Sequence, residues 1–430
     1  SAGERPNFIV LLTDDQRWDC LSCMGHPVLK TPETDRLAAG GVTFNNAFVT
    51  TSICGASRGS ILSGMYARRT GVGLDQFYGR MPAWAVASSY PVMLKNAGYR
   101  VGCLGKFGVT ETGYKEHMDT WFAWAGQGRY FHEVDGEEVH NAELLTRKAE
   151  DFLRGGPADQ PFCLMVNYKA PHGPFDPDPR DADLFEGVDF EPPETAGDEY
   201  FNRMHPIVQQ SLNRKRGSSV RRYLQCIASV DRSVGRIMKA LDDHGLTENT
   251  CVIFLSDNGW LMGEHGLNGK WLMYEESIRV PLIIRYPKLP AAMRGARTDD
   301  MALNLDISPT IIELAGLDVP ANVDGRSLAP ILRGEGPAWR DDFLYEHHCF
   351  RDGVGNNPGP MDRIAASDGV RTRDWKYIRY LDTDPLYEEL FDLRNDPIEA
   401  HNLADDPAHA AQLDRMRARY EAYLTELERK

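Results

Sequence analysis

The sequence predicts an α/β fold: a large doubly wound mixed sheet flanked by helices, followed by a smaller C-terminal antiparallel sheet with a helix. Three observations carry this. Apolar runs of strand length recur along the first 335 residues, segments of helical period lie between them, and past Arg333 the pattern changes to short strand-like runs with turn signals.

The first run, Asn7-Phe8-Ile9-Val10-Leu11-Leu12, is almost continuously apolar, which suits a central parallel strand buried on both faces. Arg100–Leu104, Phe162–Val166 and Cys251–Leu255 repeat it. Val280-Pro281-Leu282-Ile283-Ile284 contains a proline, which donates nothing to a ladder, so this run belongs at a sheet edge or a strand start. The segment Phe175–Met204 is proline-rich and acidic and reads as an extended surface loop. The clearest helix runs from about Ser218 to Asp243. Its apolar residues Tyr223, Ile227, Val230, Val234, Ile237 and Leu241 step by fours and threes along one face, and His244-Gly245 stops it. Asp306-Ile307-Ser308-Pro309-Thr310 opens another helix, with Asp306 or Ser308 as cap and Pro309 in the first turn. Gly334–Pro337 reads as a linker, dividing the chain into a domain of residues 1–335 and a subdomain of residues 336–430. In the latter, Phe343–Tyr345, Lys376–Ile378 and Glu389–Phe391 are short strands, and a charged helix begins at about Pro407.

Composition narrows the function classes. A chain of 430 residues exceeds what one core usually serves, and 42% hydrophobic with 26% charged residues is ordinary globular usage. No run of eighteen apolar residues exists, so no membrane span is expected. A net charge of −15 argues against nucleic acid and against long sulfated polymers, which need extended basic surfaces. Cys103, Cys163 and Cys251 fall in apolar strands and read as buried hydrophobes, and Cys20-Leu21-Ser22-Cys23 lacks the second pair that zinc would need. The first residues, Ser1–Arg5, are not a secretory leader.

The polar residues that carry chemistry follow the strand ends: Asp14-Asp15, Lys106, His172 and Asp257-Asn258. Open α/β sheets gather ligands just beyond the carboxyl ends of their strands, so these residues can meet. Asp14, Asp15, Asp257 and Asn258 offer hard oxygens that suit calcium or magnesium rather than zinc. Three crowded carboxylates would repel one another without a cation. Two further strings stand out: Cys54-Gly55-Ala56-Ser57-Arg58, and Gly263-Glu264-His265-Gly266-Leu267-Asn268-Gly269-Lys270 followed by Tyr274-Glu275-Glu276 and Arg279-Val280-Pro281-Leu282.

Together, from Asn7 to roughly Leu403, these motifs resemble the formylglycine-dependent type I sulfatases of the alkaline phosphatase superfamily, and among them carbohydrate sulfatases such as glucosamine-6-sulfatase-like members. The resemblance implies a sulfuric ester hydrolase acting on a sulfated carbohydrate, with Cys54 oxidised by a formylglycine-generating maturation enzyme to an aldehyde whose hydrate is the nucleophile. It implies a divalent metal, calcium or alternatively magnesium, on Asp14, Asp15, Asp257, Asn258 and the modified residue 54. Arg58 would steady that residue, Lys106 and Lys270 would bind sulfate, and His172 would protonate or orient the leaving oxygen. His265 is a candidate for the substrate pocket. The aromatic stretch Trp121–Phe131 suits stacking on sugar faces, and His347-His348 could meet substrate but lacks carboxylate neighbours for a metal.

The chain departs from the family at two places. Position 56 is alanine where proline is commoner, and Gly105-Lys106-Phe107-Gly108 lacks the histidine of G-K-x-H that activates the hydrate. His132, or a water at the metal site, would then take the proton. The negative net charge favours an exo-acting mode on a terminal or short glycan. An exported location, whether periplasmic, lysosomal or secreted, is expected over the cytosol. The alternatives are a phosphonate monoester or phosphodiester hydrolase of the same superfamily, and an inactive sulfated-glycan-binding protein.

Overall fold

A computed structural model describes residues 5–72, 80–157, 159–212, 220–348 and 364–429. Eight strands form the large sheet: β1 (Asn7–Thr13), β2 (Val42–Phe44), β3 (Arg100–Lys106), β4 (Thr120–Trp124), β5 (Phe162–Asn167), β6 (Thr250–Ser256), β7 (Leu282–Arg285) and β8 (Ala296–Thr298), in the spatial order β8-β2-β7-β6-β1-β5-β3-β4. Seven run in one direction, and β7 alone is antiparallel to its neighbours.

Period-two alternation gives β1 two cores. Phe8, Val10 and Leu12 face one apolar cluster, while Ile9 and Leu11 face the other. The second cluster is closed by helices Asn141–Arg154 and Val220–Asp243, through Leu145, Ala149, Val230, Val234 and Ile237. The first is closed by Tyr90–Asn96 and Ile307–Leu314. Each helix therefore presents one apolar stripe to one face of a sheet that is buried on both.

The long helix is described from Val220, so the expected start at Ser218 lies outside the described residues. Pro281 precedes β7, as a strand start requires, but the strand is interior rather than at an edge, paired with both β6 and β2. The helix after Asp306 begins at Ile307. Asp306 does not cap it: its carboxylate accepts from the Leu303 and Arg326 amides and pairs with Arg340.

The C-terminal sheet has four antiparallel strands, β9 (Asp342–His347), β10 (Ser367–Thr372), β11 (Trp375–Tyr380) and β12 (Tyr387–Asp392), with helix Ala410–Glu428 across it. The Tyr420 hydroxyl of that helix donates to Asp368 at 2.7 Å. Phe343, Tyr345, Tyr377 and Leu390 belong to the same apolar cluster as Phe8 and Val10. The Glu346 amide also donates to Thr50 O at 3.0 Å, just before Cys54. The smaller sheet is thus packed on the element that carries the cysteine. All seven described cysteines are free, and no described helix is long and apolar enough to cross a membrane.

Candidate active site

The central strands deliver their polar ends to one buried point. Asp14 and Asp15 follow β1, Lys106 ends β3, and Asp257 and Asn258 follow β6. Asp14, Asp15, Lys106, Asp257 and Asn258 are all fully buried. The crossing is stitched by backbone: the Asp257 amide donates to Thr13 O and the Asp15 amide to Asp257 Oδ1, both at 3.1 Å. Asp15 takes a left-handed backbone (φ 66°), which aspartate tolerates but which costs energy that the surrounding bonds must offset.

Carboxylate oxygens of Asp14, Asp15 and Asp257 lie within 4.8 Å of one another. Lys106 pairs with Asp14, Lys270 with Asp15, and Arg58 Nε with Asp257 Oδ2 at 2.8 Å. Burial works to raise the Asp14 carboxyl, but the Lys106, Arg58 and Lys270 charges outweigh it and hold the group well below the usual range. Burial lifts Asp15, and burial together with the Asp14 charge pushes Asp257 up to about 6. Three acceptors remain without any hydrogen bond: Asp14 Oδ1, Asp15 Oδ2 and Asn258 Oδ1. Buried oxygens of this kind cost about 1–3 kcal/mol each when left unpartnered. An all-oxygen set with three free acceptors fits a hard divalent cation.

Cys54 is the first residue of helix Cys54–Ser63 and is 1% exposed. Its Sγ stands 3.5 Å from Lys270 Nζ and 3.9 Å from Gln127 Nε2. His172 Nε2 lies 3.6 Å from Asp15 Oδ2. Its Nδ1 donates to Gly173 O at 2.6 Å, which fixes the tautomer, and burial pushes the imidazole down to about 3. The resting ring is therefore neutral, with its Nε2 lone pair toward the site. Of the metal, catalytic and substrate-binding residues that the sequence led us to expect, all but one are thus gathered with Cys54.

The exception is His265. Its ring stacks on Tyr274 (centroids 4.4 Å apart), and a ring nitrogen lies within 4.8 Å of carboxylate oxygens of Glu276 and Glu399. In that cluster Lys376 pairs with Glu399 and Arg17 with Glu264, so cations of the chain already supply the countercharge. His347 is fully buried, and His348 bonds Asp368 at 2.5 Å with Glu346 nearby. His348 thus has the carboxylate neighbours that the sequence did not reveal. His132 donates to Arg129 O at 3.1 Å on its own hairpin, and none of its bonds reaches Cys54. The aromatic stretch begins in the edge strand β4, where Trp121 packs on Phe107 and Trp124 on Phe122 and His132.

The missing histidine has a steric cause. Gly108 has φ +81°, and a Cβ there would stand 2.3 Å from Arg58 Cδ. The Arg58 stem occupies the space into which a side chain at 108 would grow. Two residues that sequence reasoning missed complete the site. Gln127 Oε1 accepts from Lys106 Nζ at 2.7 Å, and Lys169 Nζ, itself nearly buried, donates to Gln127 O and Gly173 O at 3.4 Å. Burial drives the Lys169 ammonium below its ordinary range. Gln127 sits in the quoted aromatic run and Lys169 three residues before His172, but neither type is diagnostic without the fold.

Known proteins are similar to this chain in sequence and fold. The sulfatase family model matches residues 6–317, and the model for the C-terminal region of N-sulphoglucosamine sulphohydrolase matches residues 263–426. The chain is 29% identical to an N-acetylglucosamine-6-O-sulfatase of Bacteroides thetaiotaomicron, over 93% of this chain and 83% of that protein. It superposes with TM-score 0.82 and 26% identity, covering 99% of both chains, on a protein solved with its substrate D-glucosamine-2-N,6-O-disulfate. A phosphonate monoester hydrolase from Silicibacter pomeroyi shares the fold with TM-score 0.81 at 23% identity, over 98% of this chain and 96% of that one.

Proposed function

The chain belongs to the sulfatase family, and on that premise we propose that it hydrolyses a sulfate ester of a carbohydrate, with residue 54 acting as formylglycine. The observation that carries this reading is a buried cluster in which Lys270 and an Asp14 carboxylate oxygen stand beside Cys54, Lys106 pairs with that aspartate, and three acceptors of Asp14, Asp15 and Asn258 are left unpartnered. Asp14, Asp15, Asp257 and Asn258 would hold a divalent metal, which we take to be calcium. When bound, that cation supplies Lewis acidity toward a sulfate oxygen, and the oxidised residue 54 supplies the nucleophilic oxygen.

The rest of the work falls to the chain's own side chains. Lys106 and Lys270 meet the sulfate oxygens as fixed buried ammoniums, each held charged by its aspartate despite burial. Arg58 locks Asp257 and, through Lys106 O, the end of β3. His172 lies where it can meet the ester oxygen, and an arriving sulfate charge raises its proton affinity. The N-acetylglucosamine sulfatase relatives support an amino-sugar sulfate as substrate. The net charge of −15 supports exo action on a short or terminal glycan, and carbohydrate turnover of this kind suits an exported enzyme.

The test is the mass of the tryptic peptide Leu37–Arg58 from protein made beside a maturation enzyme, followed by turnover of a sulfated glucosamine. An aldehyde at position 54 with release of sulfate supports the reading. An unmodified cysteine would shift the function to sulfated-glycan binding without turnover. A second reading, phosphonate monoester or phosphodiester hydrolysis, is supported by one observation, the fold shared with a phosphonate monoester hydrolase. A matched aryl sulfate and aryl phosphodiester separate the two.

A further inference from the structure

One polar side chain beside residue 54 has no role yet, the Gln127 amide. Gln127 follows the end of β4, and its side chain spans two groups at once: Oε1 on Lys106 Nζ at 2.7 Å and Nε2 toward Cys54 Sγ at 3.9 Å. An ammonium carries donors and no acceptor, so the oxygen of the amide must face Lys106. The orientation of the amide is therefore determined, and its NH₂ group is aimed at residue 54. The backbone holds it there as well, because Gln127 O accepts from Lys169 Nζ at 3.4 Å. Side chain and main chain are thus each tied to a buried lysine.

We propose that Gln127 is a positioning residue for the nucleophile: its amide donates to the oxygen carried by residue 54 and fixes that oxygen's direction before substrate arrives. The inference rests on the formylglycine reading, in which Sγ of this structure stands in for an oxygen on the same carbon. An amide neither takes up nor releases a proton at neutral pH. Gln127 thus supplies no base, and its contribution is a preset donor toward an oxygen that bears negative charge. The alternative role, simply anchoring Lys106, uses the other end of the same group.

The two ends can be tested apart. Gln127→Glu keeps the shape and the acceptor for Lys106 but replaces the donor by a carboxylate oxygen, and Gln127→Met keeps the length and removes both. Three quantities are measured at saturating calcium: the fraction of residue 54 converted, by peptide mass; the rate at which hydroxylamine traps the aldehyde; and kcat and KM on an aryl sulfate. Loss of a hydrogen bond to a charged group lowers kcat by about 10–100-fold. That loss is expected in both variants, with conversion unchanged, KM within about threefold, and trapping slowed several-fold. Wild-type kcat and trapping in Gln127→Glu, with loss only in Gln127→Met, would overturn the proposal and leave Gln127 as a support for Lys106. If converted wild-type protein turns over no sulfate ester, the sulfatase reading fails on its own. The trapping rates then still decide, slower in Gln127→Glu for the proposal and equal against it.

Discussion

Restoring the family's motif by Gly108→His is expected to damage the site rather than improve it. Gly108 sits at φ +81°, and a side chain there would start 2.3 Å from Arg58 Cδ. Forcing an L-residue into this backbone costs roughly 1–2 kcal/mol. Displacing Arg58 breaks its buried pair with Asp257 at 2.8 Å, and removing one partner of such a pair costs about 3–5 kcal/mol because the other charge stays buried. The combined loss is about 4–7 kcal/mol. Unfolding entropy of about 2.1 cal/mol/K per residue over 430 residues gives about 0.9 kcal/mol/K, so the midpoint should fall by about 4–8 °C. The assay is thermal unfolding followed by circular dichroism, with turnover of an aryl sulfate in parallel. A variant that melts within about 1 °C of wild type and turns over sulfate as fast or faster would refute the steric argument.

Three other outcomes follow from the same geometry. Stripping divalent ions leaves Asp14 Oδ1, Asp15 Oδ2 and Asn258 Oδ1 without a partner, so chelation should lower the melting midpoint and stop turnover. Calcium should restore both, and full activity in verified metal-free protein would contradict this. His172→Asn should slow a sugar sulfate by about 10²–10⁴-fold but an activated aryl sulfate far less, because only the poor leaving group needs a proton; equal losses on the two would count against that role. Glu389 is buried among the Tyr274, Tyr380 and Tyr387 hydroxyls, and burial pushes its carboxyl up to about 7 despite their hydrogen bonds. Its raised value means that its contribution is full below about pH 4.5 and is lost as pH rises through about 7, a change of about 3 kcal/mol. Glu389→Gln should flatten denaturant stability between pH 5 and 8, and an unchanged slope would remove Glu389 as the cause.

The sequence made the strands around the site legible because each is a run with no alternation. β1, β3, β5 and β6 lie in the interior of the sheet, where both faces are buried and the residues between the strand ends are almost all apolar. What escaped was decided by pairing rather than composition. Val42–Phe44 and Ala296–Thr298 are three residues each, Ser367–Thr372 is polar, and β4 lies in the aromatic stretch that suits stacking on sugar faces. The same distinction holds at the site. Acidic and basic residues at strand ends follow from topology, so Asp14, Lys106, His172 and Asp257 could be gathered in advance. Gln127, Lys169 and the burial of Arg58 against Gly108 depend on how loops lie over one another and over helix Cys54–Ser63, and no local pattern records that. His265 misled because its motif lies next to Lys270 in sequence while its ring turns to Tyr274 and the glutamates.

The acidic total conceals how this protein can hold an anion. Around Cys54 the cations Arg58, Lys106, Lys169 and Lys270 stand against Asp14, Asp15 and Asp257, and all seven are buried. A bound divalent cation makes the pocket more positive still, while the excess negative charge lies elsewhere on the chain. Salt screens exposed charges over a Debye length of about 10 Å at 0.1 M, whereas buried charges are screened far less. Capture of one sulfate by this pocket should therefore depend little on ionic strength. The expectation is that kcat/KM for a small aryl sulfate changes less than about threefold between 50 and 500 mM salt. A fall of about tenfold or more would mean that an exposed basic surface draws the substrate in, and the argument from net charge for short or terminal glycans would lose its footing.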